Sequence, residues 1–239
     1  MRSYPDWQYN EMKQVGTDYN DPAQVEVYDS QMGMLRDIKK ENEDIIKTLE
    51  LTNNQTLIEF GTGTGNFAID AARHCKNVFA IDVSPHMLEF AQKKAESKGI
   101  VNIEFHNAGF LTYEHSEAPV DAVVSQLALH HLPDFWKLIA LKRVFGLLKN
   151  GGKFFLKDTV YSFDENIQDH EAFFNNLINI IRKAGGTQIA DDLEIGIRDE
   201  YSTFGWIMEA LLLRAGFTID KKQYSEGFIA VYLCTKEVH

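Results

Sequence analysis

The feature that most constrains the fold is the segment 57–65, in which an apolar run leads directly into closely spaced glycines. Residues 57–60 are typical of a buried strand, and the apolar run 67–72 is typical of a buried helix. Glycines at such a junction allow a tight turn and a close approach of the backbone to a ligand. The helix that follows presents free N–H groups to that ligand. The segment therefore predicts a strand, a ligand-binding loop and a helix.

A second predicted strand, residues 78–82, ends in the carboxylate of Asp82. Asp82 follows the first glycine, Gly61, by about 20 positions, the spacing at which a βαβ unit brings the end of its second strand beside the glycine loop. A carboxylate at this position can accept hydrogen bonds from both hydroxyls of a ribose. The pair therefore predicts a cofactor that contains a nucleoside.

The glycine spacing and Glu59 favour S-adenosylmethionine (SAM) over NAD. The dinucleotide motif needs glycines at the first, third and sixth loop positions. Here Asn66 is at the sixth position, and the glycines are Gly61, Gly63 and Gly65. A carboxylate at Glu59, two residues before the loop, repels a pyrophosphate but attracts the ammonium group of SAM. An NAD-dependent dehydrogenase is thereby disfavoured.

Four segments resemble motifs of the class I SAM-dependent methyltransferases: LIEFGTGTG at 57–65, VFAIDVSPHM at 78–87, VDAVVSQLALHHLPD at 120–134 and VFGLLKNGGKFFLKD at 144–158. The match runs in the family's order from about residue 20 to about residue 236. The resemblance implies the fold of that family, SAM as the cofactor and methyl transfer as the activity. It does not extend to the acceptor, because these enzymes methylate small metabolites as well as RNA.

The alternation of strands and helices predicts an α/β fold. We expect a Rossmann-like, seven-stranded, mainly parallel sheet with helices on both faces and a C-terminal antiparallel β-hairpin. Strands are predicted at 56–60, 77–82, 102–106, 120–125, 153–158, 217–223 and 228–235, and helices at 21–51, 65–75, 84–99 and 134–148. A chain of 239 residues without a low-complexity linker or internal repeat fits a single domain, 1–239.

Two segments outside the shared core are expected to determine specificity. Residues 1–50 are predicted to form an N-terminal helical lid, whose aromatic residues can fold over the cofactor; these are Trp7, Tyr9, Tyr19 and Tyr28. Residues 159–204 form an insertion that is expected to shape the substrate pocket, with a helix at about 167–184. The apolar stripe of this helix is typical of a core-facing helix, with a substrate wall or a dimer contact as alternatives.

The charge and the cysteine content limit which partners and which cellular compartment are expected. The net charge is −11, from 24 Lys and Arg against 35 Asp and Glu, and no basic cluster exceeds a pair, so a nucleic-acid partner is disfavoured. Cys75 and Cys234 lie far apart in apolar segments, which indicates buried thiols in a reducing compartment. Without a signal core or an apolar run of ~18 residues, the chain is expected to be cytoplasmic, with no membrane partner. A homodimer is left open.

Ligands in such sheets bind at the carboxyl ends of the strands. The resemblance implies which residues along that edge contact each part of the cofactor. Glu59 and the loop residues would hold the methionyl end, Asp82 the ribose, and Val83 and Met87 the adenine; the expected cofactor residues are Glu59, Gly61, Thr62, Gly63, Gly65, Asp82, Val83, Met87, Gly109, Phe110 and Gln126. Many family members place an acid after the third strand to accept from the adenine amino group. Gly109 fills that place here, so adenine recognition must rely on backbone groups, Asn107 or stacking by Phe110.

Adjacent histidines, His130 and His131, follow the fourth strand, near the expected position of the transferable methyl group. Neutral imidazole can exchange a proton or bind a metal near pH 7, and it can also simply hydrogen-bond the loop backbone. No HxxxH motif or Cys/His cluster accompanies them, so no metal site is predicted. Methyl transfer depends mainly on alignment of the reacting atoms. Where a base is needed, His131 and Asp158 are the candidates, although Asp158 can equally cap a helix.

Three functions remain compatible with the sequence. The first is a SAM-dependent methyltransferase for a small-molecule acceptor, and the second is a methyltransferase for RNA or protein, which needs a basic surface that the composition does not indicate. The third is a SAM-binding module without transferase activity. The glycine loop and Asp82 support cofactor binding in all three, so they do not separate them.

Overall fold

The computed structural model describes residues 5–13, 15–16, 22–162 and 169–237. Tyr19 and the first residues of the helices predicted at 21 and 167 lie outside these ranges. Among the described residues, no helix has the length and apolar character needed to cross a membrane.

The strands form one sheet, with a mainly parallel core that ends in antiparallel strands. They are β1 (Thr56–Phe60), β2 (Asn77–Asp82), β3 (Ile103–Asn107), β4 (Val120–Gln126), β5 (Leu148–Tyr161), β6 (Thr203–Phe204), β7 (Thr218–Ser225) and β8 (Ile229–Thr235). Seven of them follow the order β3-β2-β1-β4-β5-β8-β7, and β6 pairs with β5 beside this row. Strand β8 is antiparallel to both β5 and β7, so the predicted α/β fold with its C-terminal hairpin is confirmed. The two-residue strand β6 was not predicted.

Helices connect these strands. They are α1 (Pro22–Leu35), α2 (Ile38–Thr48), α3 (Asn66–Ala71), α4 (Pro85–Ser97), α5 (Asp134–Leu147), α6 (His170–Gly185), α7 (Thr187–Asp199) and α8 (Gly205–Ala215). Helix α4 begins where the Ser-Pro signal indicates, because the Ser84 hydroxyl accepts a hydrogen bond from the Met87 amide at 3.2 Å.

The prediction of a single helix over residues 21–51 is wrong, because the helix is interrupted at Arg36 and Asp37. The Asp37 carboxylate accepts a hydrogen bond from the Lys40 amide at 3.1 Å and so caps a new helix, α2. Glu41 in the first turn of α2 binds both the Arg36 guanidinium and Lys157 Nζ of β5, the latter at 3.0 Å. Through Glu41, the start of α2 is thus attached both to the residue after α1 and to the sheet.

The insertion contains two helices, so the prediction of one helix at 167–184 is incomplete. Gly186, with φ +88°, separates α6 from α7. Arg182 of α6 donates a hydrogen bond to Glu194 of α7 at 2.8 Å, and this pair links the two helices. Strand β5 is also longer than the predicted 153–158, and its last residues pair with β6 next to the insertion.

Two apolar clusters cover the two faces of the sheet, as the alternating residues of β1 show. Leu57 packs in the cluster that contains Ile45 of α2 and Phe67 of α3. Ile58, the next residue, packs in the cluster that contains Leu141 of α5 and Leu212 of α8. Burial of each large apolar side chain contributes about 1.5–3 kcal/mol. The sheet is therefore a rigid support for the loops at its edges.

The strand order reverses direction at β1, whose neighbours are β2 on one side and β4 on the other. In open α/β sheets, ligands bind outside the carboxyl ends of the strands at this switch point. The loops that follow Phe60, Asp82 and Gln126 meet there, which fixes the position of the candidate site.

Candidate active site

A cavity of about 850 Å³, a volume that includes solvent at its open mouth, lies at the switch point. Eight of the expected cofactor residues line it, namely Gly61, Gly63, Asp82, Val83, Met87, Gly109, Phe110 and Gln126. The candidate base His131 also lines it, whereas Glu59, Thr62, Gly65 and Asp158 do not.

The glycine loop is held against the end of β2 and approaches the loop after β4 closely. The amides of Gly61 and Thr62 both donate to the carbonyl of Ile81, at 2.8 and 3.0 Å. Gly61 has φ +72°, and a Cβ at this position would lie 2.4 Å from the Cβ of Ala128. Both the backbone conformation and the lack of space therefore require glycine at position 61.

Asp82 is fixed with its two carboxylate oxygens at the cavity. Oδ2 accepts a hydrogen bond from the Gly63 amide at 2.7 Å, and Oδ1 accepts one from the Ser84 amide at 2.8 Å. Burial raises the pKa of Asp82, while hydrogen bonds from the backbone amides of Ser84, Gly63 and Val83 oppose that shift. A carboxylate accepts up to about four hydrogen bonds, so these three leave room for a further donor such as a ribose hydroxyl.

Glu59 lies beneath the glycine loop rather than in the cavity wall. The Thr62 hydroxyl donates to its Oε2 at 2.7 Å, and the Ala68 amide donates to the same carboxylate. Burial raises the pKa of Glu59 to about 8, and nearby Asp82 adds to this shift. Thr62 and Glu59 thus fix the shape of the loop, and a cation bound next to the loop would favour the charged form of Glu59.

The end of β4 contributes an acceptor atom and a strained backbone. The Oε1 atom of Gln126 is buried and has no hydrogen-bond partner among the described residues. The next residue, Leu127, has φ +52°, a conformation that is unfavourable for a side chain with a Cβ. A buried acceptor without a partner at the wall of a cavity is suited to a ligand with N–H donors.

The N-terminal part of the chain closes one side of the cavity. We call Glu11, Lys13 and Val15 the N-terminal wall, because all three line the cavity. Tyr28 of α1 also lines it, and the aromatic lid predicted over residues 1–50 stays a prediction. This wall was not predicted, since nothing in the sequence pattern of residues 5–16 indicates where they pack.

Asp29 connects α1 to the glycine loop. Its carboxylate accepts hydrogen bonds from the Thr64 hydroxyl at 2.5 Å and the Asn66 amide group at 2.9 Å, and it pairs with Lys94 Nζ at 2.6 Å. Asn66 is the residue that departs from the dinucleotide motif. Here it anchors the N-terminal helix.

The two histidines differ in their surroundings. His130 is buried, with Nδ1 2.5 Å from Asp158 Oδ1 and Nε2 3.3 Å from Glu200 Oε2. Burial opposes its charge, but these two carboxylates raise the pKa of His130 and so favour its protonated form. Burial lowers the pKa of His131, and the charge of His130 lowers it further, so the imidazole at the cavity is neutral. Asp158 contacts His130 and is not among the residues that line the cavity.

Glu200 was missed as a functional residue, because it follows α7 at a great distance in sequence from the histidines. Arg198, two residues before Glu200, forms an exposed ion pair with Asp199 at 2.7 Å. His130, His131 and Glu200 bring three ligand atoms within 4.8 Å of one another, a spacing that can hold a metal ion. Both ring nitrogens of His130 already face carboxylates, so a cation would have to displace a proton there.

Aromatic side chains surround His131 on the side away from the glycine loop. The Tyr9 hydroxyl donates to the His131 carbonyl at 3.3 Å. The Tyr9 ring lies 6.4 Å from the ring of Trp136 and 6.3 Å from that of Tyr201. These three rings are not among the residues that line the cavity, and His131 itself lies beside the His130 ring, at 4.4 Å between ring centroids, and has Nδ1 3.9 Å from Glu200 Oε1.

The geometry agrees with the similarity to known proteins. The methyltransferase-domain family model matches residues 57–152. An uncharacterized methyltransferase of Geobacillus kaustophilus is 31% identical over 213 residues, which make up 89% of this chain and 90% of that protein.

Solved structures share the fold. A SAM-dependent methyltransferase from Clostridium acetobutylicum superposes with a TM-score of 0.67 at 15% identity, covering 90% of this chain and 98% of that one. The geranyl diphosphate C-methyltransferase of Streptomyces coelicolor, in complex with Mg²⁺, geranyl diphosphate and S-adenosyl-L-homocysteine, gives 0.64 at 10% identity, covering 83% and 79%. The glycine loop, Asp82 and this kinship together establish that the chain belongs to the class I SAM-dependent methyltransferases, with SAM as its cofactor.

Proposed function

We propose that the enzyme transfers the methyl group of SAM to a small-molecule acceptor that binds beside His131. The observation that carries the proposal is the continuity of one cavity, which is lined by Asp82 and the glycine loop at one end and by His131 at the other. The net charge of −11 argues against a large nucleic-acid acceptor. The geranyl diphosphate enzyme, which shares the fold, acts on a small molecule, and this is consistent with the same class of acceptor here.

In this proposal the cofactor spans the carboxyl ends of β1, β2 and β4. Asp82 accepts from the ribose hydroxyls, and the apolar side chains of Val83 and Met87 pack on the adenine. The backbone of Gly61 and Gly63 and the Oε1 atom of Gln126 face the methionyl end. The unpartnered Gln126 oxygen supports this orientation, because the ammonium group of SAM supplies N–H donors.

The proposed chemistry is a displacement at the methyl carbon. The acceptor's lone pair forms the new bond to the methyl carbon while the bond from carbon to sulfur breaks, and S-adenosylhomocysteine leaves. The sulfonium is already activated, so alignment of the three atoms supplies much of the rate. SAM contributes the electrophile, and the chain's own residues hold the acceptor in line and exclude water.

His131 is proposed to contact the acceptor and to receive its proton where the nucleophile must lose one. Its neutral form fits an acceptor of a hydrogen bond, and its lowered pKa suits it to orienting the nucleophile more than to strong base catalysis. Asp158, the other predicted catalytic residue, is proposed as a positioning residue. It holds His130, whose charge keeps His131 neutral.

Calorimetry with SAM, S-adenosylhomocysteine and NAD tests the cofactor site. We expect SAM and its product to bind, NAD to fail, and Asp82→Ala to weaken binding of the product by about tenfold to a hundredfold, because two charge-assisted hydrogen bonds are lost. Glu89→Ala is the control, since Glu89 is an exposed carboxylate on α4 outside the cavity. An Asp82→Ala protein that binds as tightly as wild type would refute the site.

A transfer assay with labelled SAM separates the three functions. Pools of small thiols, amines, alcohols and carboxylic acids are compared with total RNA and total protein as acceptors. Label in a small-molecule pool supports the proposal, and label in RNA or protein would favour the second function. SAM binding without transfer to any pool would favour a binding module. Cytoplasmic location and a homodimer remain proposals, the second testable by light scattering.

A further inference from the structure

We propose that Glu11, a residue of the N-terminal wall, accepts the hydrogen bond from the adenine amino group of the cofactor. Glu11 thereby supplies a carboxylate at a place where the loop after β3 has only Gly109. The inference rests on the placement of SAM proposed above.

Glu11 is attached firmly to the loop after β3. Its side chain is 8% exposed and lines the cavity. The Leu111 amide donates to Oε1 at 2.9 Å and to Oε2 at 3.0 Å, and the Thr112 hydroxyl donates to Oε1 at 2.7 Å. These contacts join residues 100 positions apart in the chain. The carboxylate therefore has a fixed position at the cavity.

The carboxyl group occupies the space that a side chain at position 109 would need. A Cβ built on Gly109 would lie 2.4 Å from Glu11 Cδ, 2.5 Å from Oε2 and 2.8 Å from Oε1. The backbone of Gly109 is outside the left-handed region, so its conformation alone does not call for glycine. The carboxylate of Glu11 can therefore occupy this place only because residue 109 has no side chain.

The chemistry of this end of the cavity requires an acceptor. The side chains of Val83, Met87 and Phe110 are apolar, and they can pack on a purine but cannot satisfy its amino group. Asp82 already accepts from three backbone amides and is placed at the ribose in the proposed arrangement. A carboxylate accepts up to about four hydrogen bonds. Glu11 receives those of Leu111 and the amide and hydroxyl of Thr112, which leaves room for one more donor.

The test compares two ligands that differ at position 6 of the purine. S-adenosylhomocysteine carries an amino group there, whereas S-inosylhomocysteine carries a carbonyl, which repels a carboxylate. We expect wild type to prefer the adenosyl compound by at least about tenfold in calorimetry at pH 7.5. In Glu11→Gln the side-chain amide can donate to the carbonyl, so the preference is expected to disappear or reverse. A ratio of affinities does not depend on the fraction of folded protein.

A second set of variants tests whether a carboxylate at position 109 can replace the one at position 11. Gly109→Asp alone is expected to bind S-adenosylhomocysteine poorly, because its Cβ collides with Glu11. In Glu11→Ala the preference should be lost, and in Glu11→Ala/Gly109→Asp the new carboxylate should restore it. Thr112→Val, which removes a partner of Glu11 but keeps the carboxylate, is the control and should retain the wild-type preference.

The outcomes distinguish this inference from the proposed function. If wild type binds S-adenosylhomocysteine but Glu11→Gln shows the same ratio of affinities, Glu11 only fastens the N-terminal wall, and the inference is wrong. If wild type fails to bind S-adenosylhomocysteine in this cavity, the proposed placement of the cofactor falls, and the inference falls with it.

Discussion

The close contact between Gly61 and Ala128 gives a prediction whose size can be worked out from the structure. In Gly61→Ala, the new side chain must adopt φ +72°, which costs about 1–2 kcal/mol for a residue with a Cβ. Its Cβ would also lie 2.4 Å from Ala128 Cβ, and such overpacking costs about 1–3 kcal/mol. We therefore expect the free energy of unfolding to fall by about 2–5 kcal/mol, a large share of the ~5–15 kcal/mol of a typical domain.

Gly63→Ala is the matched control for this experiment. Gly63 also has a positive φ, +53°, but a Cβ there meets no atom within 4 Å. It should show the conformational cost alone, about 1–2 kcal/mol. Urea unfolding followed by circular dichroism measures both variants, and calorimetry with S-adenosylhomocysteine shows whether the loop still binds.

The double variant Gly61→Ala/Ala128→Gly tests the cause directly. Removing the Ala128 methyl group eliminates the clash, so this variant should regain about 1–3 kcal/mol over Gly61→Ala once the effect of Ala128→Gly alone is subtracted. Equal destabilisation by Gly61→Ala and Gly63→Ala, together with no rescue by Ala128→Gly, would refute the steric argument.

Three further predictions concern the two halves of the cavity. His131→Ala should lower kcat with an identified acceptor but leave the Kd for S-adenosylhomocysteine within about twofold. If the affinity for S-adenosylhomocysteine fell by the same factor as kcat, His131 would contact the cofactor instead. Glu59 has a pKa raised from 4.5 to about 8, so its buried charge costs stability as the pH rises through that range. Urea unfolding should therefore show wild type losing stability relative to Glu59→Gln between pH 4.5 and 8, and parallel curves would contradict this. Dialysis against EDTA should leave turnover unchanged, because both nitrogens of His130 face carboxylates; a loss that added Zn²⁺ or Mg²⁺ reverses would show that His130, His131 and Glu200 bind a cation.

The arrangement around the glycine loop was predictable because its parts are close in sequence. The glycine loop and Asp82 belong to one βαβ unit, in which strand, loop and helix follow one another, so spacing alone brings Asp82 to Gly63. Even there, Glu59 differs from the expectation. Its position in the strand could be predicted from the sequence. Its burial under the loop could not, because it depends on the Thr62 side chain pointing toward Glu59.

The rest of the site was less predictable because distant segments build it. His130 meets Asp158 of β5 and Glu200 after α7, and Glu11 reaches the loop after β3 across 100 positions. Hydrophobic periodicity reports which face of an element is buried, but it carries no information on which polar residues of separate elements meet. The interruption of the N-terminal helix at Asp37 did have a local signal, since Asp is a favoured N-cap residue.

The N-terminal wall has a consequence for the order of events in a catalytic cycle. Two residues before Glu11, Tyr9 donates to the carbonyl of His131, so one short segment contacts both the loop after β3 and the loop with the histidines. A ligand that binds only the docked form of this segment stabilises docking by about 2.7 kcal/mol at a concentration of 100 times its Kd. We therefore expect sequential kinetics in which SAM enters first and completes the surface that the acceptor meets.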